Sequence, residues 1–257
     1  MAPLFGRGLA GPVLRPLAER LIDAARLREG DRLILDAPCD GGVLSAALAR
    51  SIAADVRVVA VDADAEALEA AGAAGPRAQL VRADPAQLPL AAGIVDVALS
   101  LLTLAHQRDP AAVVAACAST LRPEGRLIAA VWGERAAVPH LSALSGALHS
   151  TLGHTPTDVE DALALGAPGA LETLAARVGM TGVRVLRLRD VARFDGVDHL
   201  WSVHGTGRLA PHAGELDEDA ERAVRHELAG RLRRVTAWDG TLVVPVEIAV
   251  LMAKTDS

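Results

Sequence analysis

A chain of 257 residues, 51% of them hydrophobic, has room for one large α/β domain, and one domain carrying a helical insertion is expected here. Aromatic residues make up only 2% and tyrosine is absent, so the core must be aliphatic, and an aromatic cage or a tyrosine base is excluded. A formal charge of −6 with mostly scattered basic residues lacks the electrostatic footprint of a nucleic-acid binder.

Two local concentrations of arginine, Arg184, Arg187, Arg189 and Arg193, and then Arg231, Arg233 and Arg234, read as solvated strand or helix edges. No apolar run approaches the roughly 20 residues that span a bilayer. Arg7 and Arg15 flank no continuous apolar stretch, so no signal peptide is expected and the chain reads as cytoplasmic. Cys39 and Cys117 form neither a metal spacing nor a disulfide framework.

Residues 1–13 are rich in Gly and Pro and read as an irregular arm. From Leu14 the apolar positions Leu17, Ala18, Leu21, Ile22 and Ala25 follow helical spacing up to a turn at Glu29-Gly30-Asp31. Arg32 to Asp36 then reads as a buried strand ending in an acid. The turn-prone Pro38-Cys39-Asp40-Gly41-Gly42 runs directly into a helical pattern that reaches about Ala54. Such a turn leaves backbone N–H groups uncovered above the sheet, where the positive end of a helix receives an anionic ligand group.

A second strand, Val56 to Asp62, again ends in an acid, twenty residues beyond Gly42. Nucleotide-binding α/β folds place a ribose-binding carboxylate at that point, because a paired acceptor reads a vicinal diol. Asp62 could instead cap the following helix, Ala65 to Ala73, but Asp64 is better placed to do so. Ala78 to Arg82 is a short third strand leading to Asp84-Pro85, Gly93 to Ser100 contains a fourth, and Leu121-Arg-Pro-Glu-Gly125 turns into a fifth.

Glu134 to Gly169 has no strand signal and carries two helical patterns, Leu141 to Leu152 and Val159 to Leu165, with Gly153 and Pro156 between. A helix from Ala170 to Val178 leads to Val183 to Arg189, whose alternation predicts a half-exposed strand. After a polar segment holding His199, Trp201 and His204, an amphipathic helix starts at Asp217 and reaches Val235. The strand Gly240 to Met252 follows, and Pro245 pushes its front toward an edge or a bulge.

Asp36, Pro38, Asp40 and Gly42 fall on the four defined positions of the acid-x-Gly-x-Gly-x-Gly motif of class I S-adenosylmethionine-dependent methyltransferases, keeping only the acid and the last glycine. The acid after strand three, the acid opening strand four, the helix and the Leu-basic-Pro-x-Gly turn follow in that family's order. The chain therefore resembles a small-molecule methyltransferase of this class, of the type 11 kind.

The resemblance implies a Rossmann-like α/β fold: a seven-stranded, mostly parallel sheet with helices on both faces and a helical lid insertion. It divides the chain into an arm and helix (1–31), a cofactor-binding core (32–133), a lid (134–169) and the C-terminal part of the same domain (170–257). Carried over by position, Asp36, Ala37, Pro38, Cys39 and Gly42 would bound the methionine end of S-adenosylmethionine. Asp62 and Ala63 would meet the ribose, Asp84 and Pro85 the adenine, and Leu101 would form a wall. His106 matches a histidine often found after strand four and is a candidate general base, or else a wall residue. Trp132, Glu134 and His140 are candidates for the acceptor pocket.

His149 and His154, like His199 and His204, are five apart, which puts no two imidazoles on one helical face, and no metal is expected. The expected partner is a small, fairly apolar molecule, with neither nucleic acid nor membrane, and an exposed edge strand or lid helix would allow a homodimer. Asp40 favours a competing reading, a methyltransferase-like scaffold without transfer activity, because its carboxylate would face that of the methionine moiety. A nicotinamide dehydrogenase would need a Gly-x-Gly-x-x-Gly after strand one, which is absent.

Overall fold

Strand β1 (Leu33–Asp36) is buried along its whole length, as a central parallel strand covered on both faces must be. Its side chains alternate between two cores. Ile34 joins Val58 and Val97 on one face, under α1 (Arg15–Ala25) and α2 (Val43–Ser51). Leu33 and Leu35 join Val59 and Val95 on the other, under α4 (Pro110–Thr120) and α7 (Ala170–Arg177).

The computed structural model describes residues 13–256 except 76, 155–156 and 206–215, so the expected arm (apart from Val13) and Pro156 lie outside the described residues. Among the described residues no helix is long and apolar enough to cross a membrane.

Seven strands form one sheet in the order β3-β2-β1-β4-β5-β7-β6. Besides β1, these are β2 (Arg57–Asp62), β3 (Ala78–Arg82), β4 (Val95–Leu101), β5 (Leu121–Trp132), β6 (Thr181–Phe194) and β7 (Leu242–Lys254). The first five pair in parallel, and β7 is antiparallel to both β5 and β6. This is the expected Rossmann-like α/β fold, and its order reverses between β1 and β4, where such sheets bind ligands.

The caps follow local chemistry. Asp64, not Asp62, caps α3 (Ala65–Ala74) by accepting the Glu66 N–H. Asp109 caps α4 ahead of Pro110, and Asp217 caps the helix Glu218–Leu232 by accepting the Ala220 N–H.

Two elements exceed their sequence signal. β6 starts two residues before the Val183 to Arg189 alternation and runs five past it, because β7 pairs with it from Leu242 to Lys254. The polar segment around His199 is a helix, α8 (Val197–Gly205). Pro245 lies opposite Val191 of β6, in the part of β7 beyond the reach of β5, which starts pairing only at Ile248. It therefore occupies the one-sided position that a residue lacking an N–H requires.

Within 134–169, α5 (Pro139–Leu152) buries seven residues and packs against α9 (Glu218–Leu232), while α6 (Thr157–Ala164) lies on β5 and on the turn that follows β4.

Candidate active site

The carboxyl ends of β3, β2 and β1 bring Asp84, Asp62 and Asp36 to neighbouring tips of the sheet. The register makes this unavoidable: Asp36 sits opposite Ala60, two residues short of the end of β2, and Asp62 opposite Arg82, the last residue of β3.

Asp36 is buried, and its Oδ2 accepts a hydrogen bond from the Ser45 hydroxyl at 2.6 Å, in the first turn of α2. Burial pushes its carboxyl up to about 7, the Ser45 hydrogen bonds oppose this, and the charges of Asp62 and Asp40 add to it.

Asp62 uses both carboxylate oxygens. Oδ2 accepts the Asp40 N–H and Oδ1 the Asp64 N–H, each at 3.0 Å. Its side chain thereby ties the turn after β1 to the turn after β2, while a carboxylate with about four lone-pair sites retains capacity for a diol. Asp84 is exposed at the next tip, where Oδ1 accepts the Ala86 N–H; Pro85 behind it is buried. Ala63 is exposed, and its carbonyl accepts the Arg82 guanidinium N–H.

The turn itself is shaped by two left-handed residues. Asp40 takes φ 46°, a conformation that costs a non-glycine residue about 1 kcal/mol and that Asp and Asn tolerate best. Gly42 takes φ 72°, and a Cβ there would stand 2.4 Å from the Ala71 Cα of α3. The glycine that the motif keeps is thus the one at which two helices meet. Gly41 has open space where a side chain would be.

Ala37 and Cys39 are buried, and their N–H groups donate to the carbonyls of Leu99 and Val61, extending the ladders past the end of β1. Burial raises the Cys39 thiol well above its ordinary value, with the charges of Asp36, Asp62 and Asp40 adding, which keeps it protonated and inert.

Strand β4 ends at Leu101, buried, and Leu102 follows at φ 60°, a conformation uncommon for a branched side chain. Thr103 then donates to the Pro38 carbonyl at 3.0 Å and lies 2.9 Å from the Ser100 hydroxyl. This link between the β4 tip and the first turn, like Ser45, left no readable signal in the sequence, because a hydroxyl's partner is set by tertiary position. His106 lies half-buried on the 3₁₀ turn Leu104–His106, against α6.

The acceptor candidates divide. Trp132 and His140 are fully buried and pack together at 5.5 Å between ring centroids, with His204 5.7 Å and Phe194 6.3 Å from His140. Glu134 stays at the surface, where its carboxylate lies 3.9 Å from Arg187. Burial, and then the neighbouring His204, lowers the His140 imidazole well below its ordinary value.

Residues 35–129 match the family model described as a methyltransferase domain. A ubiquinone biosynthesis O-methyltransferase of Xanthomonas axonopodis pv. citri is 35% identical over 112 residues, which cover 40% of this chain and 44% of that protein. The match thus spans less than half the length of the curated relatives. Among solved structures, the YcgJ protein of Bacillus subtilis has a TM-score of 0.62 at 13% identity, over 93% of this chain and 98% of that one. Phosphoethanolamine N-methyltransferase 2 of Haemonchus contortus, in complex with S-adenosyl-L-methionine, has 0.59 at 11% identity, over 94% and 53%. The strand order and the acids at the strand tips agree with the matched domain: the chain has the fold of the class I S-adenosylmethionine-dependent methyltransferases and is similar to a methyltransferase domain over residues 35–129.

Proposed function

We propose that this protein binds S-adenosylmethionine over the tips of β1 to β4 and transfers its methyl group to a small, fairly apolar molecule, in the cytoplasm and without nucleic acid or membrane as partner. The observation that carries this reading is the Asp62 carboxylate, held between the amides of Asp40 and Asp64 beside the tip of β1. When bound, S-adenosylmethionine supplies a methyl carbon already activated by its sulfonium.

The chain's own work is to position and to dry the site. Asp62 and Ala63 would hold the ribose, Asp84 and Pro85 would flank the adenine, and Asp36 to Gly42, with Leu101, would bound the methionine end. Asp36 acts through its bond to Ser45, which fixes the start of α2 beneath the turn. The O-methyltransferase relative supports an oxygen acceptor, whose proton His106 would take as general base. Helix α6, packed on the His106 turn, would cover the acceptor as a lid, with Glu134 at its rim and Trp132 and His140 as the wall behind.

Titration of the purified protein with S-adenosylmethionine, S-adenosylhomocysteine and NAD tests the reading by calorimetry. Both adenosyl ligands are expected to bind and NAD not to. Silence toward the adenosyl ligands up to millimolar concentration would leave the scaffold reading that Asp40 favours.

A further inference from the structure

At the opposite edge of the sheet from the aspartate tips, a groove of about 440 Å³ is lined by Arg26, Arg28, Arg126, Arg184 and Lys254, and by no acid. β5 carries Arg126 midway and Trp132 at its carboxyl end, six residues apart, so the groove lies about 20 Å from the carboxyl edge at ~3.3 Å per residue. It is a different place from the site above.

The pairing shows how it is built. Arg184, Met252 and Ile128 lie side by side across β6, β7 and β5, and Arg126 and Lys254 lie opposite one another. Period-2 alternation puts all five on the sheet face that α1 covers. Arg26 closes the groove from the end of α1, where it takes the left-handed conformation at φ 44°.

Two of the cations are already engaged. Arg126 bonds the Asp31 carboxylate and the carbonyls of Ala25 and Arg26, and Lys254 pairs with Glu124 at 2.7 Å. The exposed side chains of Arg26, Arg28 and Arg184 have no hydrogen-bond or ion-pair partner among the described residues. Three unneutralised guanidinium groups around one concavity, on a chain of net charge −6, repel one another unless an anion lies between them. Guanidinium forks match phosphate oxygens. Ile128 and Met252 supply an apolar floor, and the volume falls within the roughly 300–1,000 Å³ of small-molecule sites.

We propose that this groove is a second ligand site, which takes a phosphate-rich anion attached to an apolar group. Calorimetric titration with inorganic pyrophosphate at low salt is expected to show one site, weakened at least tenfold in the R28Q/R184Q variant, with S-adenosylhomocysteine binding and the melting temperature unchanged. Octyl phosphate is expected to bind more tightly than inorganic phosphate; equal affinities overturn the apolar part. Co-sedimentation with phosphatidylglycerol vesicles separates the sources of the phosphate: pyrophosphate binding with the protein left in the supernatant identifies a free ligand, and vesicle binding lost in R28Q/R184Q without a pyrophosphate response identifies a lipid headgroup. No binding of either probe, or binding that R28Q/R184Q leaves unchanged, overturns the proposal.

Discussion

The hydroxyl of Ser45 donates to the Asp36 carboxyl across 2.6 Å inside the protein, and this contact joins the tip of β1 to the first turn of α2. The carboxyl titrates near 7, far above 3.8, chiefly because it is buried. A folded value above the unfolded one means that its stabilising contribution is complete below about pH 4 and is lost as pH rises through about 7. At pH 8 the buried charge costs on the order of 4 kcal/mol. Asp36→Asn is expected to raise the melting temperature at pH 8 more than at pH 5, flattening the dependence between them. An equal shift at both pH values would mean that Asp36 ionises freely.

The proposed cofactor site rests first on Asp62, whose carboxylate bridges the amides of Asp40 and Asp64. Asp62→Ala is expected to weaken S-adenosylhomocysteine binding by about 1.5–3 kcal/mol, the scale of hydrogen bonds to a charged group. Unchanged affinity in a variant that melts normally would remove Asp62 from the site.

Replacement of His106 separates its two roles. As a general base, its loss in His106→Ala should cut turnover about a hundredfold while leaving S-adenosylhomocysteine affinity intact. Normal turnover would make it a wall of the pocket.

Among the described residues His140 has both ring nitrogens buried without a hydrogen-bond partner, and His204, held down by burial to about 4, stands against it. Folded values below 6.5 mean that the pair's contribution is complete above about pH 6.5 and is lost as pH falls toward 4. His140→Leu, similar in volume and without the orphaned nitrogens, is expected to raise the melting temperature at pH 5 more than at pH 8. A loss of stability at pH 5 would show that the imidazole makes a contact it does not make here.

Gly42→Ala combines a left-handed backbone with a Cβ driven into Ala71. A destabilisation of roughly 2–3 kcal/mol is expected from denaturant unfolding, since both overpacking and strain act at one position. A change within error would show that α2 and α3 separate freely.

The first four strands, the acids at the tips of three of them and most helix starts were legible because they rest on local rules: buried runs between turns, Asp before a helix, Pro at its first position. The degenerate turn was legible in the same way, for Asp40 takes the left-handed conformation that its place in the motif demands. The full burial of His140 was not legible, because a helix after β5 looks like a cover. Whether its first turn faces a cleft or the core depends on α9 docking against it, nearly 80 residues later in the chain.

By itself, the sequence determined a parallel α/β core with an acid at the tip of each of three successive strands, since strand period and turn chemistry act over a few residues. Only the tertiary structure decided that Ser45 and Asp40 hold two of those acids, that Trp132, His140 and His204 share one buried cluster, and that Arg184, read as a solvated edge, stands with Arg26 and Arg28 around a groove. Those arrangements join residues from separate elements, and register and packing, which no local pattern encodes, bring them within reach.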